Sequence, residues 1–111
     1  MVKMIIMFKR REGMTREAFM DYRRDVHAPL LLAIPEARHI RKFVVSYPIS
    51  APQYAEEGYD AIVEAWFDSL ADMDALFFSD NFLQKVDPDH LNFIDMTSIT
   101  RFVSTEIVVI E

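Results

Sequence analysis

The chain has 111 residues, of which 51% are apolar and 27% charged, a composition typical of one small globular domain and not of a disordered chain. Twelve basic and 18 acidic side chains give a net charge of −6, which argues against a nucleic-acid backbone as the main partner. Cysteine is absent, which excludes disulfides, thiolate-bound metals and a cysteine nucleophile. The apolar run at residues 2–8 is too short for a membrane span and lacks a cleavage site, so we expect a cytoplasmic protein with no membrane partner.

The charge is unevenly distributed along the chain. Residues 1–42 carry ten basic and five acidic side chains, whereas residues 43–111 carry two basic and thirteen acidic ones. The two parts are expected to attract each other, within one chain or across a dimer. A basic region that steers an acidic ligand is the alternative interpretation.

The first third of the chain predicts a strand and then a helix. Residues 2–9 alternate as a strand does, and Thr15 has the chemistry of a helix N-cap. Four apolar residues then repeat at three- and four-residue steps, as one face of a helix does: Phe19, Tyr22, Val26 and Leu30. We expect the helix to reach about Val26, and Pro29 to end or bend it near His27.

The rest of the chain predicts three strands and two helical segments. The strands are residues 38–47, 59–67 and 97–110. Ser69 is expected to cap a helix, and residues 81–94 to form a second one that breaks near Pro88. The order β-α-β, β-α-β predicts a single α+β domain over residues 1–111, with the ferredoxin-like split βαβ arrangement of a four-stranded antiparallel sheet and helices on one face.

The predicted sheet is apolar on both faces. In the third strand, one face carries Ala61, Val63, Ala65 and Phe67, and the other carries Ile62, Glu64 and Trp66. Leaving a second apolar face in water costs roughly 1.5 kcal/mol or more per large side chain. An identical sheet is the simplest cover, so we predict a homodimer with facing sheets, a dimeric α+β barrel. A monomer covered by its own C-terminal tail is the alternative.

His27 is the first candidate catalytic residue. The helical wheel places it on the shoulder of the apolar face, close to the helix end that Pro29 opens. An imidazole can give or take a proton near neutral pH. A histidine that binds the last carbonyls of its helix is the alternative.

Glu64 is the second candidate catalytic residue. It alternates with Ile62 and Trp66 in a strand whose two faces are expected to be covered, so its carboxylate needs a partner or a raised pKa. It is interpreted either as a base or orienter of His27, or as half of a structural ion pair with a residue such as Arg41 or Arg101.

The remaining histidines and acids give weaker signals. Asp89 and His90 are interpreted as an N-terminal helical turn with favourable carboxylates. His27, His39 and His90 lack the spacing of metal ligands, so no metal site is predicted. Only two glycines occur, which disfavours nucleotide-binding loops, and no cofactor is predicted.

Aromatic side chains are expected to enclose the seam between helices and sheet. Most belong to the core, but some are expected to line a pocket for a small apolar or aromatic ligand. The residues assigned to that pocket are Tyr22, Trp66, Phe78 and Phe82.

Several segments of this chain, in the same order, resemble the EthD-like family of the dimeric α+β barrel superfamily. The most specific are His27-Ala28-Pro29 and Glu64-Ala65-Trp66-Phe67. The full set of matching segments is residues 8–15, 22–29, 59–67, 89–95 and 105–109.

The resemblance implies a ferredoxin-like protomer, a dimer of facing sheets, and a pocket between helices and sheet. His27 matches the helix histidine of methylmuconolactone methylisomerase by position, whereas the histidine of a plant polyketide cyclase falls near Phe82. The implied function is cofactor-free proton transfer, by an isomerase, cyclase or dehydratase, on a small lactone, phenolic or polyketide-like compound. The alternatives are a cofactor-free monooxygenase of the quinone-forming type and a non-catalytic binding or accessory protein in ether or aromatic degradation.

Overall fold

Four strands and three α-helices, joined by shorter helical turns, account for most of the residues that the computed structural model describes, which are 1–55 and 58–111. The strands are β1 (Val2–Arg10), β2 (Ile40–Ser46), β3 (Ala61–Phe67) and β4 (Ile94–Ser104). The α-helices are α1 (Arg16–Tyr22), α2 (Ala28–Ala33) and α3 (Leu70–Phe77). Two π-helical turns (Arg23–His27 and Phe82–Val86) and two 3₁₀ turns (Pro35–His39 and Asp87–Asn92) complete the helical layer.

Both predicted helix starts are confirmed by their caps. The Thr15 hydroxyl accepts a hydrogen bond from the Ala18 amide at 3.1 Å, and the Ser69 hydroxyl accepts one from the Asp72 amide at 3.1 Å. Each cap satisfies one of the amides that the first turn of a helix leaves unpaired.

The sheet has the strand order β2-β3-β1-β4, and all three pairings are antiparallel. In β3 the residues that face the helices, Ala61, Val63, Ala65 and Phe67, are buried, while those between them are at least partly exposed. This alternation is the one predicted from the sequence, and it shows that the helices cover one face. The fold is therefore the predicted α+β, ferredoxin-like arrangement.

The first helix continues through Pro29, contrary to the expected end at about Val26. Across the π-helical turn, the Ala28 amide donates to the Arg23 carbonyl, five residues back instead of four. A proline in regular α-helix has no amide to donate and its ring clashes with the carbonyl four residues earlier. The wider turn accommodates Pro29, so that α1 and α2 form one helical segment over residues 16–33.

The wide turn also changes which residues face inwards. The buried positions of this segment advance by four residues at each step: Phe19, Arg23, His27 and Leu31. The stripe predicted from a 3.6-residue period is wrong at Val26, which is 41% exposed. A π-helical turn holds one residue more than an α-helical one, so after it the inward positions are His27 and Leu31 instead of the predicted Val26 and Leu30.

The second half differs from the prediction in its boundaries. Residues 81–94 form a π-helical turn and a 3₁₀ turn instead of one broken helix, and again a proline, Pro88, lies two residues after the π-helical turn. β4 begins at Ile94 and ends at Ser104, whereas the sequence predicted residues 97–110. Ser104 pairs with Lys3 near the start of β1, so the residues that follow have no partner strand.

Two apolar clusters make up the core. One surrounds Phe67 and contains Leu31 from α2, and the other surrounds Phe93 and contains Phe19 from α1. Arg23 and His27 lie between Phe19 and Leu31 on the same helical face and are both buried. The fold thus places two polar side chains at the junction of two apolar clusters. In the ranges described, no helix is long and apolar enough to cross a membrane.

Candidate functional site

A cavity of about 560 Å³ lies between the helices and the sheet. Most of its lining is aliphatic or aromatic and comes from all four strands, α2, α3 and the turns around Phe82. The polar lining residues are Arg23, His27, Asp74, Asp87, His90 and Arg101. A concave, mainly apolar space with a few polar groups is typical of small-molecule sites.

His27 is bound to Asp89 at one edge of this cavity. Its Nδ1 lies 3.0 Å from Asp89 Oδ2, and both side chains are at least nine-tenths buried. Asp89 Oδ1 also accepts hydrogen bonds from the Tyr22 hydroxyl at 2.6 Å and from Asn92 Nδ2 at 2.9 Å. Three donors therefore converge on one carboxylate.

The protonation of Asp89 decides the tautomer of His27. Burial by itself raises the pKa of Asp89, but the hydrogen bonds from Tyr22, Asn92 and His27 outweigh burial and hold that pKa below its ordinary value. An ionised carboxylate can only accept, so Nδ1 of His27 carries the proton and Nε2 carries the lone pair.

Nε2 of His27 is open to the cavity. No residue in the described part of the chain forms a hydrogen bond with this nitrogen. In the same part of the chain, every side-chain nitrogen or oxygen that lacks a hydrogen bond is accessible to solvent, and Nε2 is one of these atoms. Because His27 lines the cavity, its free lone pair is available to a molecule inside it.

The imidazole is neutral at physiological pH. Burial lowers the pKa of His27 most, the nearby His90 and Arg23 side chains lower it further, and the hydrogen bond with Asp89 only partly opposes them, so that the pKa falls to about 4. A neutral imidazole with a free lone pair is a general base and not an acid in its resting state.

Aromatic contacts fix the orientation of the His27 ring. Its centroid lies 4.7 Å from that of Phe93 and 4.6 Å from that of His90. His90 is held in turn by Asp87, with 3.1 Å between Nδ1 and Oδ1. The cavity therefore has two adjacent imidazoles, each bound to a carboxylate through Nδ1.

Three of the six residues assigned to the site from the sequence line the cavity. These are His27, Phe78 and Phe82, of which Phe82 is buried and Phe78 is exposed at the rim. Tyr22 is not part of the lining, but its hydroxyl holds Asp89 and its ring packs on Phe93 with centroids 5.3 Å apart.

The structure does not bring Glu64 and Trp66 to His27. Both point away from the helices, because they alternate in β3 with the buried Val63 and Ala65. Glu64 pairs with Lys3 at 2.9 Å, so its partner is neither Arg41 nor Arg101.

Trp66 has partners of its own on that face. Its Nε1 donates to Glu106 Oε1 at 2.9 Å, and the ammonium groups of Lys3 and Lys42 lie over its ring. The expectations that Glu64 orients His27 and that Trp66 packs against the same ligand are therefore corrected.

Sequence reasoning missed Asp89 and Arg23. Asp89 was interpreted as part of a helical turn, and its true partner is 62 positions away in the chain. Arg23 fell outside the predicted apolar face because that face was defined by apolar residues alone, although a residue four positions after Phe19 lies about 40° from it on a regular helix. The useful signal was the four-residue spacing of Arg23 and His27 just before a proline. Across residues 1–55 and 58–111, no three His, Asp or Glu side chains are grouped so as to hold a metal ion.

The fold and the site define a class of protein: a ferredoxin-like α+β domain with a histidine–aspartate pair beside an internal, mainly apolar cavity. The EthD domain matches residues 11–97, and the chain belongs to the EthD domain family. This confirms the resemblance noted in the sequence.

Two fungal relatives are similar to most of this chain. The conidial pigment biosynthesis dehydratase EthD of Metarhizium robertsii is 28% identical over 102 residues, which cover 82% of this chain and 72% of the relative. The dehydratase aurZ of Gibberella zeae is 26% identical over 105 residues, which cover 85% of this chain and 69% of the relative.

Solved structures share the fold. An EthD-family protein from Bacillus halodurans superposes with a TM-score of 0.74 at 22% identity, covering 96% of this chain and 99% of that one. A dimeric protein of unknown function with a ferredoxin-like fold, from Bacteroides fragilis, superposes with a TM-score of 0.64 at 18% identity, covering 93% of each chain. At these identities the likeness shows the fold alone.

Proposed function

We propose that this protein is a dehydratase that removes water from a small, polyketide-like β-hydroxy carbonyl compound. The observation that carries the proposal is the His27–Asp89 pair, whose Nε2 lone pair opens onto a mainly apolar cavity. The two fungal relatives named as dehydratases support the reaction class. Elimination of water next to a carbonyl group requires a base and an acid, and one histidine can serve as both in turn.

The first step is removal of a proton from the carbon between the carbonyl and the β-carbon. Nε2 of His27 takes this proton, the C–H bond breaks, and its electron pair moves to the carbonyl oxygen to form an enolate. Asp89 accepts the hydrogen bond from Nδ1 of His27 throughout the step and stabilises the imidazolium that forms. Negative charge on the enolate raises the pKa of His27 as the proton moves, which offsets the low pKa of the resting imidazole.

The second step expels the hydroxyl group. The enolate electrons re-form the carbonyl while a carbon–carbon double bond forms and the β C–O bond breaks. The departing hydroxyl takes the proton held by His27 and leaves as water. The products are one unsaturated carbonyl compound and one water molecule, and His27 returns to its neutral form.

The test uses a panel of β-hydroxy ketones that carry an aromatic ring. Dehydration gives a conjugated product with a new near-ultraviolet absorbance, and we expect the protein to accelerate its formation. His27→Gln is expected to lower the rate about 10²–10⁴-fold, the range for loss of a general base.

His39→Gln is the matched control, because His39 pairs with Asp72 and does not line the cavity. The dehydratase proposal fails if the panel yields no product, or if His27→Gln turns over as fast as the control. Binding of the compounds without conversion would instead favour a non-catalytic binding protein.

We also propose that the protein acts as a homodimer through the face of the sheet that the helices leave open. Ile62 and Phe102 on this face are 36% and 50% exposed. Large apolar side chains grouped on one surface are typical of interfaces. The structurally similar Bacteroides fragilis protein is dimeric, which supports a dimer here.

Light scattering at micromolar concentration tests the dimer. We expect a mass of two chains for the unmodified protein and of one chain for Phe102→Glu. Leu32→Glu, at a 74% exposed position of α2, is the control and should remain dimeric. A single-chain mass for the unmodified protein would contradict the proposal.

A further inference from the structure

Arg23 is a buried cation at the junction of the two apolar clusters. It is only 6% exposed, and among residues 1–55 and 58–111 nothing forms a hydrogen bond or an ion pair with its guanidinium. Buried charges in proteins are almost always paired, because an unpaired one loses its hydration without compensation. In the described part of the chain, every side-chain nitrogen that lacks a hydrogen bond is accessible to solvent. Because Arg23 lines the cavity, its guanidinium nitrogens are accessible from there.

Two aromatic rings hold the guanidinium in place. Its central carbon lies 6.0 Å from the ring centroid of Phe8 and 5.6 Å from that of Phe43. Contacts of this kind stabilise the charge through the faces of the rings and leave the N–H edge of the guanidinium free. Burial lowers the pKa of Arg23, but a guanidinium stays protonated in proteins. The result is a pre-oriented, positively charged fork in an apolar space.

Arg23 and His27 are neighbours on one helical face. Both side chains are buried and line the same cavity, so one small molecule can contact both. In an enolisable compound the carbonyl oxygen and the carbon that loses the proton are bonded to the same carbon atom. A base and a cation that are neighbours can therefore serve one enolate.

We propose that Arg23 binds the anionic oxygen of an enolate or phenolate on an otherwise apolar, planar ligand. Where the bound anion is an enolate, the inference rests on the proposed function and names its substrate class. The carbonyl oxygen of the substrate, which becomes negative in the reaction, then lies against Arg23 while His27 removes the neighbouring proton. Paired charge-assisted hydrogen bonds to one oxygen are among the stronger polar contacts a protein makes.

4-Nitrophenol is the probe, because its phenolate absorbs in the visible range and its neutral form does not. At a pH about one unit below the ionisation of free 4-nitrophenol, about a tenth of the free probe is phenolate, whereas the wild-type protein is expected to bind about half of its probe in that form. The bound phenolate-to-phenol ratio should exceed that of free probe by about tenfold, the factor that one charge-assisted hydrogen bond supplies. Arg23→Met should remove this enrichment, and Arg23→Lys should restore part of it.

Two controls separate charge recognition from packing. Arg101→Met removes an exposed arginine from the cavity lining and is expected to leave the phenolate signal unchanged. 4-Nitroanisole has no ionisable oxygen and should bind wild type and Arg23→Met equally. Arg23→Met also removes a buried unpaired charge, so it should unfold in urea at a concentration no lower than wild type.

Three outcomes would overturn the inference. They are equal phenolate signals in wild type and Arg23→Met, loss of the signal in Arg101→Met instead, and no binding of 4-nitrophenol by wild type at millimolar concentration. This binding experiment requires no turnover. A protein that fails to dehydrate any β-hydroxy ketone but still shows the Arg23-dependent phenolate would contradict the proposed function and support the anion site.

Discussion

The two faces of the sheet each carry a pair between a basic and an acidic side chain, with nearly equal distances. His27 and Asp89 are 3.0 Å apart on the helix side, and Lys3 and Glu64 are 2.9 Å apart on the open side. The side chains of the first pair are 6% and 10% exposed, and those of the second are 13% and 26% exposed. Distance alone therefore does not separate a candidate catalytic pair from a structural one.

The difference lies in what each pair faces. Asp89 has two further donors, and its partner His27 lines a cavity and keeps a nitrogen without a hydrogen bond in the described part of the chain. Lys3 is shared between Glu64 and Glu106, and an ammonium group has no lone pair to offer while it is charged. A carboxylate contributes to chemistry when its partner can still accept a proton from a bound molecule.

The largest expected effect is that of Asp89→Asn. The amide cannot stabilise an imidazolium and permits the wrong tautomer of His27, so we expect product formation from an active β-hydroxy ketone to slow by about 10³–10⁴-fold. Nitrogen chemical shifts of His27 report the tautomer without any substrate. Glu64→Gln is the matched change on the other face. Equal rates for the two variants would remove the distinction between the faces.

The next effect is a pH dependence of stability. The pKa of His27 is about 4 in the folded protein and near 6.5 when exposed, so the unfolded chain binds more protons between these values. Stability is therefore complete above about pH 6.5 and is lost as the pH falls towards 4. We expect urea unfolding to show a loss of about 2 kcal/mol between pH 7 and pH 5.

His27→Gln should flatten this dependence, whereas His39→Gln should retain it. A wild-type protein with the same free energy of unfolding at pH 5 and pH 7 would show that His27 is not buried in its neutral form.

A smaller effect is expected for Tyr22→Phe. This change removes one of the donors to Asp89 while the ring can still pack on Phe93. Loss of a single charge-assisted hydrogen bond is expected to lower kcat about tenfold, with KM nearly unchanged because Tyr22 does not line the cavity. Tyr59→Phe, which loses an exposed hydrogen bond to Thr100, is the control and should keep full activity.

The smallest effect is expected for Glu64→Gln. Its ion pair with Lys3 is partly exposed, and such pairs contribute little to stability. We expect the urea midpoint and the rate of dehydration to stay within experimental error of wild type. A clear loss of activity, with the fold intact, would restore Glu64 as a functional residue.

The fold was largely predictable because local patterns determine it. Strand alternation separated the two faces of β3 correctly, and the Thr15 and Ser69 hydroxyls marked the helix starts. The end of β4 was not predictable from its own β-branched residues, because it depends on where β1 begins.

The candidate site was only partly predictable. His27 could be identified from its place before Pro29. Its hydrogen bond to Asp89 joins residues from opposite halves of the chain, and no local pattern records such a contact. Arg23 was missed because the predicted inward face was drawn through apolar residues only, although Arg23 lies about 40° from Phe19 on a regular helix.

The four-residue advance through this turn makes the protein sensitive to chain length at one place. A π-helical turn holds one residue more than an α-helical one, so removing any single residue from 23–27 would restore a regular turn, in which about 100° per residue still places Leu31 on the face of Phe19. The ring of Pro29 would then clash with the carbonyl four residues before it. The number of residues here is consequently under tighter constraint than the identity of the exposed residues 24–26.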